Sequence, residues 1–158
     1  NIAHLLHTAY VDAHARLGLE CDPSLVVPCE VSEFGGNEVT RALLDRDDPP
    51  TAILLNHELM AFGVYAALTE AGLTPGRDMS VVALRRSRQL RFLHPPVSAF
   101  EVDLEALGAT LADEILHALN GDGSPAARIW PFQLVPTESL THCPASPPRA
   151  KQGGAHDI

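Results

Sequence analysis

Four of the chain's eleven Lys and Arg side chains, Arg85, Arg86, Arg88 and Arg91, fall within seven consecutive positions. No Asp or Glu occurs between residues 79 and 100, in a sequence whose formal net charge is −9. A guanidinium is always charged and donates without accepting, so this group suits an anion. A phosphorylated sugar or an organic acid would accept charge-assisted hydrogen bonds worth roughly 1.5–3 kcal/mol each. The competing reading is a solvated basic loop, or arginines paired with Asp45, Asp47 or acids of a partner chain. Exposed pairs of that kind contribute at most about 1 kcal/mol. Other chemistry finds less support. His57-Glu58-Leu59-Met60-Ala61 begins like HExxH but has no second histidine, so it cannot offer zinc two imidazoles one turn apart. Of His4, His7 and His14 only the first two are close in sequence, with no cysteine nearby to complete a tetrahedral site. There is no GxSxG elbow, Walker loop or GxGxxG. The chain is expected not to be an enzyme and to need neither cofactor nor metal.

These side chains are carried by a strand, helix, strand unit over residues 50–84. Residues 51–55 and 79–84 are short apolar runs, the pattern of strands buried on both faces. Between them, helical spacing from Glu58 puts Met60, Gly63, Val64, Ala67, Leu68 and Ala71 on one side and Phe62, Tyr65 and Thr69 on the other. Gly72 ends the helix. Strands joined by so long a connection pair in parallel with a right-handed crossover, so the class is α/β. Open sheets of this kind bind ligands at the carboxyl ends of their strands. That rule selects Asn56, His57 and Glu58 after one strand and Arg85, Arg86, Ser87 and Arg88 after the next, and it predicts that they are neighbours.

The rest of the chain continues the pattern. An amphipathic helix is expected over 3–17, closed by Gly18 in the left-handed position. A strand follows over 24–27, then a helix capped within 32–37 and ending near Asp45, then a turn at 45–50. A short strand is expected over 97–100. Asp103 caps a helix whose Leu104, Leu107, Leu111, Ile115 and Leu119 form an apolar stripe up to Asn120-Gly121. Residues 128–135 read as a last strand, confined by Pro131 to an edge or a bulge. We divide the chain into a folded domain over 1–140 and a disordered tail over 141–158, which is rich in Pro, Gly and Ala. Hydrophobic residues make up 46% of the chain, enough for a core without staples. Cys21, Cys29 and Cys143 form no CxxC pair, and no long apolar span or secretory signal is present, so a reducing cytoplasmic setting without membrane contact is expected. So acidic a surface repels a phosphate backbone, and this chain alone is not expected to bind DNA.

Pro50-Thr51-Ala52-Ile53, Leu59-Met60-Ala61 with Gly63, Glu70-Ala71-Gly72-Leu73, Asp78-Met79-Ser80-Val81-Val82, Pro95-Pro96 and Leu134-Val135 follow one another in this order. In order and spacing the set resembles the effector-binding region of the lactose-repressor (LacI/GalR) family of bacterial transcription regulators, over about residues 2–140. The resemblance implies a periplasmic-binding-protein-like fold with a parallel three-layer α/β/α sheet, mainly its C-terminal subdomain. It implies a small-molecule sensor, homodimeric, that reaches DNA only through a separate helix-turn-helix head. That head and the first half of the sensor are missing from this sequence, so a fragment is expected. In that fold the helix over 103–120 packs on the N-terminal subdomain; here its stripe should lie open and favour self-association or a swapped arrangement.

The resemblance also places the effector at His57, Glu58, Arg85, Arg86 and Arg88, and the dimer contact at Phe62, Tyr65, Thr69, Phe92 and Leu93. Burial under the chain's own loops is the other reading of those five positions. Against the family's sugar pattern, His57 and Glu58 stand for Asn-Asp. Ala83, Leu84, Arg85 and Arg86 stand for Gly, an aromatic and Asp-Asp. Leu6 stands for an arginine, and Val102 for a polar residue. Donor-only guanidiniums thus replace carboxylates that would accept from sugar hydroxyls. The alternatives are a transporter's solute-binding protein, which needs an export signal, and a degenerate domain that dimerises without an effector.

Overall fold

The computed structural model describes residues 2–121 and 129–141. The expected tail lies outside the described residues from position 142 on, as does Arg128 at the head of the last expected strand.

The crossover unit is present. Strand β1 (Ala52–Leu55), helix α3 (Met60–Glu70) and strand β2 (Ser80–Ala83) form it, with β1 and β2 parallel and Ala52 opposite Ser80. Strand β3 (Ser98–Glu101) extends the sheet in parallel, and β4 (Gln133–Val135) closes it antiparallel to β3, in the order β1-β2-β3-β4. β4 begins only after Pro131, and it pairs with β3 alone, the edge position that a proline upstream allows. The class is α/β.

Helix α2 (Glu33–Leu44) starts where Ser32 caps it, the Ser32 hydroxyl accepting from the Gly35 N–H at 3.0 Å. It lies against α3 at Gly36 and Gly63, and a side chain at Gly63 would stand 2.6 Å from the Asn37 nitrogen. This close approach lets Leu44, Leu55, Val64, Leu68, Met79 and Val81 share one core between the helices and the sheet. α3 ends at Gly72, whose φ of +69° only glycine adopts without strain. A buried polar seam joins the segment after β4 to β2 and β3 through Thr137, Ser139 and Ser98.

Three expectations are corrected. The strand over 24–27 is instead a 3-10 turn, Pro23–Leu25, because the Asp22 carboxylate accepts from the Ser24 N–H and Pro23 fits the first helical position. The β1 run is not buried on both faces, Leu54 being 52% exposed, whereas in β2 only Val82 is not fully buried. The cause is that helices α1 (Ile2–Leu17) and α4 (Leu104–Leu119) fully bury no described side chain, so among the described residues α2 and α3 supply the buried helix faces. Finally, Tyr65 does not share an outward face with Phe62 and Thr69. It is 6% exposed and its hydroxyl donates to the Pro95 carbonyl at 2.8 Å. Burial pushes that phenol up to about 12.

Helix α4 matches its expected limits, with the Asp103 carboxylate accepting from the Ala106 N–H at 2.9 Å and Gly121 in the left-handed region at its end. Its apolar stripe lies open as expected, Leu119 being 78% exposed. Among the described residues no helix is long and apolar enough to cross a membrane.

Candidate functional site

The carboxyl ends of β1, β2 and β3 deliver His57-Glu58, Arg85-Arg86 and Glu101 to one edge of the sheet. Because β2 lies between β1 and β3, the two arginines stand between two acids. β2 ends at Ala83 and the chain bends at Leu84 and Arg85, and the two arginine side chains part. Arg85 turns to the β1 side, its Nε 3.8 Å from Glu58 Oε1. Arg86 turns to the β3 side, its Nη1 2.5 Å from Glu101 Oε2. The partners are therefore Glu58 and Glu101 rather than Asp45 or Asp47, and the five expected effector residues separate into two groups.

The first group is His57, Glu58 and Arg85. The Glu58 side chain is only 15% exposed, and its Oε2 is buried with no hydrogen-bond partner among the described residues. His57 Nδ1 is 3.4 Å from that oxygen but accepts from the Leu59 N–H at 3.2 Å, so in this tautomer it has no proton to give. A ligand hydroxyl or ammonium could supply one. Arg85, largely exposed, keeps donors for an anionic oxygen beside it.

The second group lines a cavity of about 240 Å³ between β3, β4 and the 3-10 turn Arg88–Phe92. Arg86, Arg88, Arg91, Glu101 and Thr137 all line it. Leu90, buried in the core, pins the turn, and the Val97 N–H donates to the Leu90 carbonyl. Glu101 and Thr137 were absent from the sequence-derived site, and Arg91 belonged to the basic run without being assigned to the effector. Glu101 left a trace as the first acid after the acid-free stretch; Thr137 joins only through the antiparallel return of β4.

Of the expected dimer positions, Phe92 is 67% exposed, Thr69 is exposed, and Phe62 and Leu93 are half-buried. Arg91 stacks over the Phe92 ring at 4.9 Å. On α1, His14 has an intrahelical role: its Nδ1 lies 3.0 Å from the Tyr10 carbonyl, and its ring lies against the Tyr10 ring.

Residues 1–140 match the family model of the periplasmic binding protein-like domain. The chain is 32% identical over 104 residues to the lactose operon repressor of Escherichia coli (strain K12), covering 66% of this chain and 29% of that one. A lactose operon repressor of Rhizobium radiobacter is 33% identical over 116 residues, covering 73% of this chain and 97% of that one. Among solved structures, a dimeric Lac repressor with a C-terminal deletion and a K84L substitution superposes with a TM-score of 0.73 at 26% identity, covering 91% of this chain and 52% of that one. The chain spans less than half the length of the Escherichia coli, Rhizobium meliloti and Glaesserella parasuis regulators that it matches.

Proposed function

Because the chain belongs to the LacI/GalR family of transcription regulators and carries their periplasmic-binding-protein-like domain, we propose that it is the ligand-sensing and dimerisation part of a cytoplasmic, non-enzymatic repressor. In this reading a helix-turn-helix head contacts the operator, and this domain reports the presence of a small molecule to it. The effector is anionic, a sugar phosphate or organic acid that also carries a hydroxyl or ammonium group. The observation behind this is the pairing at the strand ends of an exposed guanidinium, Arg85, with a buried open acceptor, Glu58 Oε2. His57 shapes that acceptor, while Arg86 and Arg88 add positive potential from the neighbouring cavity.

A thermal-shift comparison of anionic and neutral metabolites tests the proposal. A ligand at a hundredfold its dissociation constant stabilises by roughly 2.7 kcal/mol. Arg85→Asp should weaken an anionic effector roughly a hundredfold, through loss of one charge-assisted contact and gain of a repelling one. Unchanged affinity by calorimetry would remove Arg85 from the site. The twofold ion pairing of Arg85 and Arg86 favours a second reading, a domain that dimerises without an effector, in which no metabolite shifts the melting temperature.

The dimer contact is proposed at Phe62, Thr69, Phe92 and Leu93, with Tyr65 supporting them from inside. Aromatic anchors carry much of the binding energy at such contacts, about 2 kcal/mol or more each. Phe92→Asp should therefore shift sedimentation from dimer to monomer; a variant that sediments like the parent chain would place the contact elsewhere.

A further inference from the structure

We propose that the cavity beneath the 3-10 turn Arg88–Phe92 is an anion site in its own right, shaped for a phosphoryl group and separate from the His57, Glu58 and Arg85 group. In a 3-10 helix the side chains at i and i+3 eclipse one another. Arg88 and Arg91 stand in that relation and both line the cavity. Both side chains are exposed, and no ion pair joins either to a described carboxylate; the Arg91 guanidinium lies over the Phe92 ring. The turn that carries them is held in place, because Leu90 between them is buried in the core. Arg86 brings a third guanidinium, and its partner Glu101 is the one carboxylate on the cavity wall among the described residues.

Three positive groups against one negative leave the wall with two uncompensated charges, in a chain that is strongly acidic elsewhere. A phosphoryl group carries about −1.5 to −2 at neutral pH and offers three acceptor oxygens. It matches that excess and can bridge both arginines at once, whereas a monocarboxylate supplies half the charge. A space of about 240 Å³ admits inorganic phosphate or the phosphoryl end of a small metabolite, with water.

The test is calorimetric titration of the 158-residue chain with inorganic phosphate at constant ionic strength, with chloride as the control and a hexose 6-phosphate as a second arm. Saturable one-to-one binding of inorganic phosphate is expected, and the affinity with which the hexose 6-phosphate displaces it tells a free anion from a phosphorylated metabolite. The double variant Arg88→Ser and Arg91→Ser, checked for its native circular dichroism, should bind roughly a hundredfold or more weakly. Glu101→Gln should bind several-fold more tightly, since it removes the opposing charge and releases Arg86, a gain that misfolding cannot mimic. Arg85→Asp should leave binding of inorganic phosphate within about twofold, because the Arg85 side chain points to the β1 side. Equal responses to chloride and phosphate, or phosphate binding that survives the double variant, would overturn the site. Loss of phosphate binding in Arg85→Asp would merge it with the effector site, which also overturns the proposal. A failed metabolite screen with intact phosphate binding would sink only the effector reading.

Discussion

Gly63→Ala is expected to destabilise the domain by on the order of 3 kcal/mol or more. The added methyl would fall within contact distance of backbone only, against the Glu33 carbonyl and 2.6 Å from the Asn37 nitrogen. Backbone inside a helix cannot turn aside as a flexible side chain would, so α2 must move off α3 and open the core beneath. Gly36 contributes the reciprocal close approach, toward the Met60 carbonyl, so both helices are fixed at this spacing. Against a total stability of about 5–15 kcal/mol, the loss is severe. Gly108→Ala in the open helix α4 is the control: a methyl there meets nothing within 4 Å. It should stabilise by about 0.5–1 kcal/mol through helix propensity. Chemical denaturation of the two variants side by side decides the matter, and equal midpoints would mean that α2 and α3 do not meet at glycine.

Ser139→Ala should cost about 2–4 kcal/mol, because the hydroxyl serves two buried backbone groups at once. It accepts from the Ser98 N–H at 2.7 Å and donates to the Val81 carbonyl at 2.8 Å, with Ser139 fully buried. Removing it deprives one donor and one acceptor of a partner where water cannot substitute. The same seam holds Thr137, whose amide donates to Ser98 Oγ at 2.9 Å and whose side chain lines the arginine cavity. The melting temperature should therefore fall by roughly 5–15 °C. Ser24→Ala, which removes an exposed hydroxyl from the Asp22 cap, should change stability by about 0.5 kcal/mol or less. A melting temperature in Ser139→Ala equal to that of Ser24→Ala would show that the seam is replaceable.

These two sites differ in how far the sequence announced them. Gly63 could be placed on the apolar side of its helix from spacing alone, yet nothing local says that a second helix lies against it. Ser139 gave no signal, since a serine near the end of a polar segment reads as surface. Its burial comes from a chain reversal that sets it beside Val81, 58 positions away. Tyr65 shows the opposite failure. Its helical phase put it with Phe62 and Thr69, but the loop carrying Pro95 folds over it and supplies a carbonyl for its hydroxyl. Residues 24–27 misled for a local reason, a β-branched pair preceded by an Asp-Pro-Ser cap that won the first turn.

Local sequence signals thus determined the α/β class, the limits of α2, α3 and α4, and the presence of an arginine-rich loop after a parallel strand. Periodicity, capping side chains and left-handed glycines act within a few residues, so a linear reading can see them. Which acid each arginine meets was decided only by tertiary structure. Glu58 and Glu101 reach the β2 end from opposite sides because the strand order is β1-β2-β3, an arrangement fixed by the packing of distant segments. The division of one basic run into two sites has the same origin: adjacent side chains diverge, and what each meets depends on the neighbouring strand.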